Sequence, residues 1–242
     1  TAAVDKRVVA IAPAVIDVLN MSEQMKHHFA AYGFYSQAIG DYQAMNIFDK
    51  LSTPEGQALR KIVDPYEYRD RYAGIPKLLV NSSGDQFFLP DSAQFYFHDL
   101  PGEKHLRYVP NTDHGLGDSD AVQSLVAFFQ SILAGASRPQ FSWTVKPDGS
   151  IEVKTTTKPL AVKLWQASNP KARDFRKEII GTVWQSSNLE QQGTGTYLAK
   201  VAEPAEGWTA FFAELTFDSG AAFPHKFTTE IHVVPDKLPF AK

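Results

Sequence analysis

Two strand-like segments of this sequence each lead into a titratable side chain. The apolar run 77–80 is followed by Asp85, and the strand-like segment 105–110 is followed by His114. In open α/β sheets, reacting groups gather at the carboxyl ends of the strands. The sequence therefore predicts a parallel sheet that holds an acid and a histidine, 29 positions apart in the chain, at one edge.

An acid followed by a histidine is also the chain order in which a Ser–Asp–His triad ends in α/β-hydrolases. In such a triad Asp85, on a tight turn, accepts the Nδ1–H of His114 and stabilises the imidazolium that forms. The alternative for Asp85 is a helix cap, although Asp91 or Ser92 is better placed for that. No Gly-x-Ser-x-Gly elbow occurs anywhere in the sequence, so the nucleophile is expected upstream of the first residue.

Other kinds of site have less support. Asp113 is a second candidate for the orienting acid, but an immediate neighbour rarely folds back onto the adjacent ring. Together with His114, Asp118 and Asp120 it gives a weak hint of a metal site, and no helical His-x-x-x-His pair is present. No Gly-x-Gly-x-x-Gly turn or Walker loop occurs, and the other six histidines lie in no motif. Neither a metal nor a cofactor is predicted.

The composition narrows the class of protein. A hydrophobic fraction of 43% with 21% charged residues is typical of a globular chain. The net charge of −3 shows none of the basic excess that accompanies nucleic-acid binding. The absence of cysteine excludes disulfides and thiolate chemistry. No apolar run reaches the roughly 18 residues that a membrane span needs, so neither nucleic acid nor a membrane span is predicted.

The first half is predicted to form part of a parallel sheet with a helical insertion. Residues 8–15 form an almost unbroken apolar run, typical of a strand buried inside such a sheet. Residues 17–74 show helical spacing, which predicts a lid between two strands, and residues 119–133 predict an amphipathic helix that packs on the sheet. The apolar positions of that helix are Val122, Leu125, Val126, Phe129 and Leu133.

The run at residues 8–15 has two interpretations. A strand buried on both sides needs neighbours, so earlier strands and the nucleophile are expected in an upstream fragment of the same protein. The alternative is that this run is the first strand of a complete chain.

The pattern changes at residues 135–139. From Phe141 onward, short alternating segments are separated by turns such as residues 147–149, which predicts a β-sandwich of immunoglobulin or fibronectin type. We therefore divide the chain into the C-terminal part of an α/β-hydrolase domain (1–137) and a β-sandwich domain (138–242). Aromatic residues dominate the cores of small β domains, so we expect Trp143, Trp165, Trp184 and Trp208 inside the sandwich.

Several segments resemble the PhoPQ-activated pathogenicity-related protein family. They are residues 64–69, 83–91, 100–104, 110–115, 163–167 and 173–176. The resemblance implies a bacterial, usually exported protein, hence a periplasmic or secreted location, with an α/β-hydrolase-like domain and a C-terminal sandwich. It also implies a nucleophile elbow of Gly-Ala-Ser type shortly before the first residue. The Gly-Ala-Ser at residues 135–137 follows a helix rather than a strand, so it is not assigned that role.

These observations lead to two functional hypotheses. The first is a serine hydrolase that acts on peptide or ester bonds, with Asp85 and His114 as acid and base and the nucleophile upstream. The alternative is a secreted binding or signalling protein without catalysis, built on a hydrolase scaffold.

Overall fold

Two parallel strands form the centre of the first half of the computed structural model, which describes residues 1–241. Strand β1 (Lys77–Ser82) pairs with β2 (Lys104–Val109) from the Lys77–Lys104 pair to the Ser82–Val109 pair. Eleven of their twelve residues are buried, as in parallel strands that are covered on both faces. The carboxyl ends of both strands therefore meet at one sheet edge.

Residues 8–15 run parallel to β1 on the side opposite β2. Single bridges join Ile11 to Lys77 and Ala14 to Val80. Pro13 lacks the N–H that would continue the ladder, which explains why no regular strand forms. The segment is half-buried, and Val9 is 68% exposed. Within residues 1–241 this segment forms the outer edge of the sheet, and the expectation that further strands cover it stays a prediction.

The segment between the first two parallel runs is helical, as the sequence predicts. Thr53 caps one of its helices by accepting the N–H of Gly56, and Pro54 occupies the first turn. The α-helices are α1 (Met21–Tyr32), α2 (Gly40–Ala44), α3 (Ile47–Lys50) and α4 (Pro54–Val63), with 3₁₀ turns at Gln37–Ile39 and Pro65–Tyr72. Among residues 1–241, no helix is both long and apolar enough to cross a bilayer.

Helix α5 (Ala121–Leu133) follows β2 and contradicts one detail of the sequence analysis. The side chains that face the core are small or aromatic: Ala121, Ser124, Ala127, Phe128 and Ser131. Of the apolar stripe expected to pack on the sheet, Val122 is 69%, Phe129 40% and Leu133 86% exposed. The stripe therefore covers the core only in part: Leu125 packs against it, while the fully buried face is the one that carries Ala121, Ala127 and Phe128.

The second half contains two antiparallel sheets and one short helix, α6 (Lys177–Ile180). One sheet has the order β3-β4-β8-β7; the other has the order β10-β9-β5-β6, with β11 also paired to β9. The strands are β3 (Phe141–Val145), β4 (Ile151–Thr155), β5 (Ala161–Asn169), β6 (Gln185–Asn188), β7 (Gln191–Gly193), β8 (Thr196–Ala199), β9 (Trp208–Phe217), β10 (His225–Thr228) and β11 (His232–Val234). Trp184 is buried, whereas Trp143, Trp165 and Trp208 are half-buried.

The two halves share one hydrophobic core. A single cluster contains Leu78 of β1, Phe128 of α5, Ile151 of β4 and Phe211 of β9. The backbone N–H of Tyr108 in β2 donates to the hydroxyl of Thr228 in β10, at 2.9 Å. The fold is thus a mixed α and β arrangement in which the antiparallel sheets pack directly beside the parallel strands. The division at residues 137/138 stays a prediction.

Candidate active site

The structure brings the two predicted site residues into direct contact. Nδ1 of His114 lies 2.9 Å from Oδ2 and 3.2 Å from Oδ1 of Asp85. The Asp85 side chain is 3% exposed, whereas that of His114 is 32% exposed. A buried carboxylate thus holds an imidazole that solvent can still reach. The hydrogen bond between them is as predicted, while their catalytic role stays a prediction.

The turn that carries Asp85 is held by close backbone contacts. The Ser82 hydroxyl donates to the Thr112 carbonyl at 2.7 Å and accepts the N–H of Gly84 at 3.1 Å. A Cβ added at Gly84 would lie 2.8 Å from the Thr112 oxygen and 2.9 Å from the backbone nitrogen of Lys177. That nitrogen donates to the Gly84 carbonyl at 3.0 Å. The second half of the chain therefore helps to fix the turn beneath the acid.

His114 is positioned from its backbone as well as its ring. Its N–H donates to Oε1 of Gln86 at 3.1 Å, and its ring lies 4.3 Å from that of Phe87 between ring centroids. The Gln86 carbonyl accepts the hydroxyl of Ser36 at 2.6 Å. Because Ser36 is buried in the helical segment 17–74, that segment is tied to the loop that holds the histidine.

The electrostatics suit an acid that orients a base. Burial raises the pKa of Asp85, while the Phe87 N–H (2.7 Å) and His114 act in the opposite direction. Since Nδ1 of His114 faces the carboxylate, Nε2 is the nitrogen left to exchange a proton with a substrate or nucleophile. Nε2 has no hydrogen bond to any residue in the range 1–241. This is the arrangement of the acid and base in a Ser–His–Asp triad.

Asp113, the alternative orienting acid, and Asp120, from the weak hint of a metal site, both bond residues other than His114. Asp113 accepts the N–H of Gly115 at 3.0 Å and faces the Lys177 ammonium at 3.5 Å. Asp120 pairs with Arg107 and Lys226. No group of three side chains suited to a metal ion occurs within residues 1–241.

A second buried acid–histidine pair escaped the sequence analysis. Nε2 of His27 lies 2.9 Å from both carboxylate oxygens of Asp91, and Nη2 of Arg173 donates to the same carboxylate at 2.7 Å. Burial alone would raise the pKa of Asp91, but Arg173 and His27 hold it well below its usual range. All three side chains are buried, so the cluster joins α1 to the second half and is closed to substrate. Asp91 occupies the N-cap position of the 3₁₀ turn Ser92–Phe95, but its side chain makes no capping hydrogen bond.

Asp17 is a further buried acid, at the start of the helical segment. The hydroxyls of Tyr96 and Tyr108 each donate to its carboxylate at 2.6 Å, and no cationic side chain within residues 1–241 forms an ion pair with it. Burial raises the pKa of Asp17 to about 7, the two tyrosines oppose this, and Asp85 and Asp91 add to it. The tyrosines that bond Asp17 are distant from it in the sequence and share no local pattern with it. No signal in the sequence therefore pointed to this contact.

Asp17 makes stability depend on pH. In the unfolded chain its pKa is close to 3.8, so between about pH 4 and 7 only the folded protein keeps the proton. Its contribution to stability is therefore complete below about pH 4 and is lost as the pH rises towards 7. We expect the stability of Asp17→Asn relative to the wild type to increase over this range and then level off. Denaturant unfolding of both proteins at each pH measures this; a constant difference would contradict it.

Comparison with known proteins assigns the chain to a family. The model of the PhoPQ-activated pathogenicity-related protein family matches residues 1–176. The chain is also 37% identical, over 264 aligned positions, to autocrine proliferation repressor protein A of Dictyostelium discoideum. That alignment covers 98% of this chain and 53% of the relative, so the chain spans about half the relative's length. The chain belongs to the PhoPQ-activated pathogenicity-related protein family.

Two solved structures show only distant likeness. A β-1,3-glucan-binding domain of carbohydrate-binding module family 56 is 11% identical, with a TM-score of 0.24 over 40% of this chain and 98% of that domain. Catalytically inactive OgpA from Akkermansia muciniphila, in complex with an O-glycopeptide, is 12% identical, with a TM-score of 0.20 over 85% and 74% of the two chains. Scores this low carry no argument about fold or ligand.

Proposed function

We propose that this chain belongs to a serine hydrolase that cleaves peptide or ester bonds. The observation that carries the proposal is the 2.9 Å bond between buried Asp85 and accessible His114, where two parallel strands end. The serine would come from a part of the polypeptide that precedes this chain, because no serine elbow occurs within it. A relative about twice as long is consistent with such a part.

The proposal includes a fold. Residues 8–15, β1 and β2 would be the last strands of an α/β-hydrolase sheet, and residues 17–74 its lid. The parallel pairing of the strands and the position of the acid before the histidine in the chain support this assignment. The two antiparallel sheets, which share a hydrophobic cluster, would form an immunoglobulin- or fibronectin-like β-sandwich.

The mechanism would follow from the tautomer that Asp85 imposes. With Nδ1–H bound to the carboxylate, Nε2 of His114 takes the hydroxyl proton of the serine as its oxygen attacks the substrate carbonyl. Asp85 stabilises the resulting imidazolium, and backbone N–H groups stabilise the oxyanion. Nε2 then passes the proton to the leaving amine or alcohol, which yields an acyl-enzyme. Water attacks this ester with His114 as base, which frees the acid and restores the serine.

One observation favours a second candidate function. The Dictyostelium relative is called a proliferation repressor, a name that describes signalling and not catalysis. A periplasmic or secreted binding or signalling protein on the same scaffold would keep the Asp85–His114 pair without using it.

Labelling with a fluorophosphonate separates the two functions. This probe reacts with an activated serine, so we expect the complete protein to be labelled and His114→Ala to lose labelling, because the serine then has no base. His98→Ala is the matched control: this histidine is largely exposed and bonds Glu230, so labelling should be unchanged. A folded complete protein that takes up no probe would favour the signalling function.

A further inference from the structure

A cavity of about 460 Å³ lies where the start of β2 meets β3. The Asp85–His114 pair is at the other end of the parallel strands, where β1 and β2 finish. Cavities of this size between two packed units are typical places for small-molecule binding. The lining combines aromatic and polar side chains, among them Phe97, Phe141, Trp143, His105, Gln140 and Ser142.

His105 is a buried polar side chain in this lining. It is 5% exposed, and its ring stacks on that of Phe227 with 4.2 Å between the ring centroids. Its Nε2 lies 3.0 Å from Oε1 of Glu103. Its Nδ1 makes no hydrogen bond to any residue in the range 1–241. The ring is therefore fixed in orientation while one of its nitrogens stays unpartnered.

The carboxylate of Glu103 determines which nitrogen of His105 carries hydrogen. Burial would raise the pKa of Glu103, but hydrogen bonds from Arg138 and His105 lower it to about 2. An ionised carboxylate can only accept hydrogen bonds. In the neutral ring Nε2 therefore holds the hydrogen and donates it to Glu103, while Nδ1 keeps its lone pair. Nδ1 is an acceptor that lacks a donor.

Trp143 carries the complementary group. Its indole N–H can only donate, and this buried Nε1 has no hydrogen-bond partner within residues 1–241. The indole N–H of a buried tryptophan usually finds one. The ring stacks on Phe97 at 5.0 Å and on Phe141 at 5.8 Å between centroids. The same cavity is thus lined by an unpartnered donor, an unpartnered acceptor and a group of aromatic rings.

The charged side chains of the lining already have partners. Glu103 pairs with Arg138, and the Lys104 ammonium donates to two backbone carbonyls at 2.6 and 2.8 Å. The two unpartnered groups described above are a neutral N–H and a neutral lone pair, which favours a neutral ligand over an ion. A hydroxyl group both donates and accepts, so it suits both of them.

We propose that this cavity binds a neutral sugar ring. Ligand hydroxyls would donate to Nδ1 of His105 and accept the indole N–H of Trp143, which would turn slightly towards the ligand because Nε1 is buried. The C–H face of the sugar would pack on the aromatic rings. Gln140 and Ser142 are exposed and can bond further hydroxyls. A sugar combines several hydroxyls with an apolar face, and this lining offers partners for both.

Calorimetric titration of the complete polypeptide with methyl glycosides tests the proposal. The probes are the methyl β-glycosides of glucose, galactose and N-acetylglucosamine. We expect at least one to bind with a Kd of about 1 mM or tighter, which is reasonable for so small a ligand. 2-Methoxytetrahydropyran keeps the ring without the hydroxyls and should bind at least about tenfold more weakly. Equal binding of this analogue, or no saturable binding of any glycoside to the folded protein, would overturn the proposal.

Two variants locate the binding. Trp143→Phe removes an N–H that bonds nothing within residues 1–241, so the protein should stay folded while the affinity falls about fivefold. His105→Gln keeps a donor for Glu103, lacks the Nδ1 acceptor and should weaken binding to a similar extent. Trp165→Phe is the matched control, because its indole N–H is also unpartnered within that range but lies outside the cavity. Its affinity should equal that of the wild type.

Unchanged affinity in both Trp143→Phe and His105→Gln would place the sugar elsewhere and overturn the proposal. None of these measurements uses catalysis. Sugar binding without serine labelling would therefore refute the hydrolase alone, and labelling without sugar binding would refute this site alone.

Discussion

Asp85→Asn is expected to slow acylation of the complete protein by about 10⁴-fold, because the amide cannot hold His114 in the productive tautomer. Asp85 accepts the Nδ1–H of His114 at 2.9 Å and the Phe87 N–H at 2.7 Å. An asparagine that keeps the Phe87 contact presents its NH₂ to Nδ1, which moves the ring proton to Nε2. Nε2 can then no longer accept a proton from the serine. The rate of fluorophosphonate labelling or of ester hydrolysis measures the loss.

Asp113→Asn is the matched control for this prediction. Asp113 is the neighbour of His114 but bonds Gly115 and Lys177 instead of the ring. We expect less than about a threefold change in rate, as for a surface ion pair. Because burial raises the pKa of Asp85, removing its charge should leave the protein folded. A folded Asp85→Asn protein with the wild-type rate would refute the role of Asp85. An equal loss of rate in Asp113→Asn would show that the effect is not specific to Asp85.

Arg107→Met is expected to cost about 3–5 kcal/mol of stability, because it leaves a buried charge without a partner. Arg107 in β2 is 1% exposed and donates to Glu214 of β9 at 2.6 Å and to Asp120 at 2.7 Å. Glu214 is buried as well, so its carboxylate would lose the guanidinium that bonds it. Denaturant unfolding with a constant m-value measures the change.

Two further variants separate charge from packing. Lys226→Met removes the half-buried second partner of Asp120 and should cost no more than about 1 kcal/mol, because this ion pair is still reached by solvent. Arg107→Met combined with Glu214→Leu removes both buried charges and should recover most of the stability. A double variant as unstable as Arg107→Met alone would show that lost packing, not the unpaired carboxylate, causes the effect.

The second half of the chain contributes directly to the geometry of the candidate site. Lys177 approaches the Gly84 turn, Arg173 bonds the buried Asp91, and the backbone of Trp184 exchanges two hydrogen bonds with the side chain of Asn111. These contacts are made by residues in or next to the loops that carry Asp85 and His114. The connection between β5 and β6, which carries Arg173, Lys177 and Trp184, therefore supports the site.

Local sequence patterns were sufficient for the Asp85–His114 pair. Each residue follows an apolar run with a strand's composition, and parallel strands bring their carboxyl ends together without any knowledge of side-chain packing. The helical segment 17–74 and the alternating strands after Phe141 were likewise readable, because helices and strands have different hydrophobic periods.

Tertiary structure alone decided the contacts between distant residues. His27, Asp91 and Arg173 lie 64 and 82 positions apart and share no motif, so only the packed chain shows that their charges compensate. Which face of α5 packs against the sheet was decided in the same way. A periodic stripe shows that a helix has an apolar face but not what covers that face. Because small residues and Phe128 filled the space against the sheet, Val122, Phe129 and Leu133 were left outside.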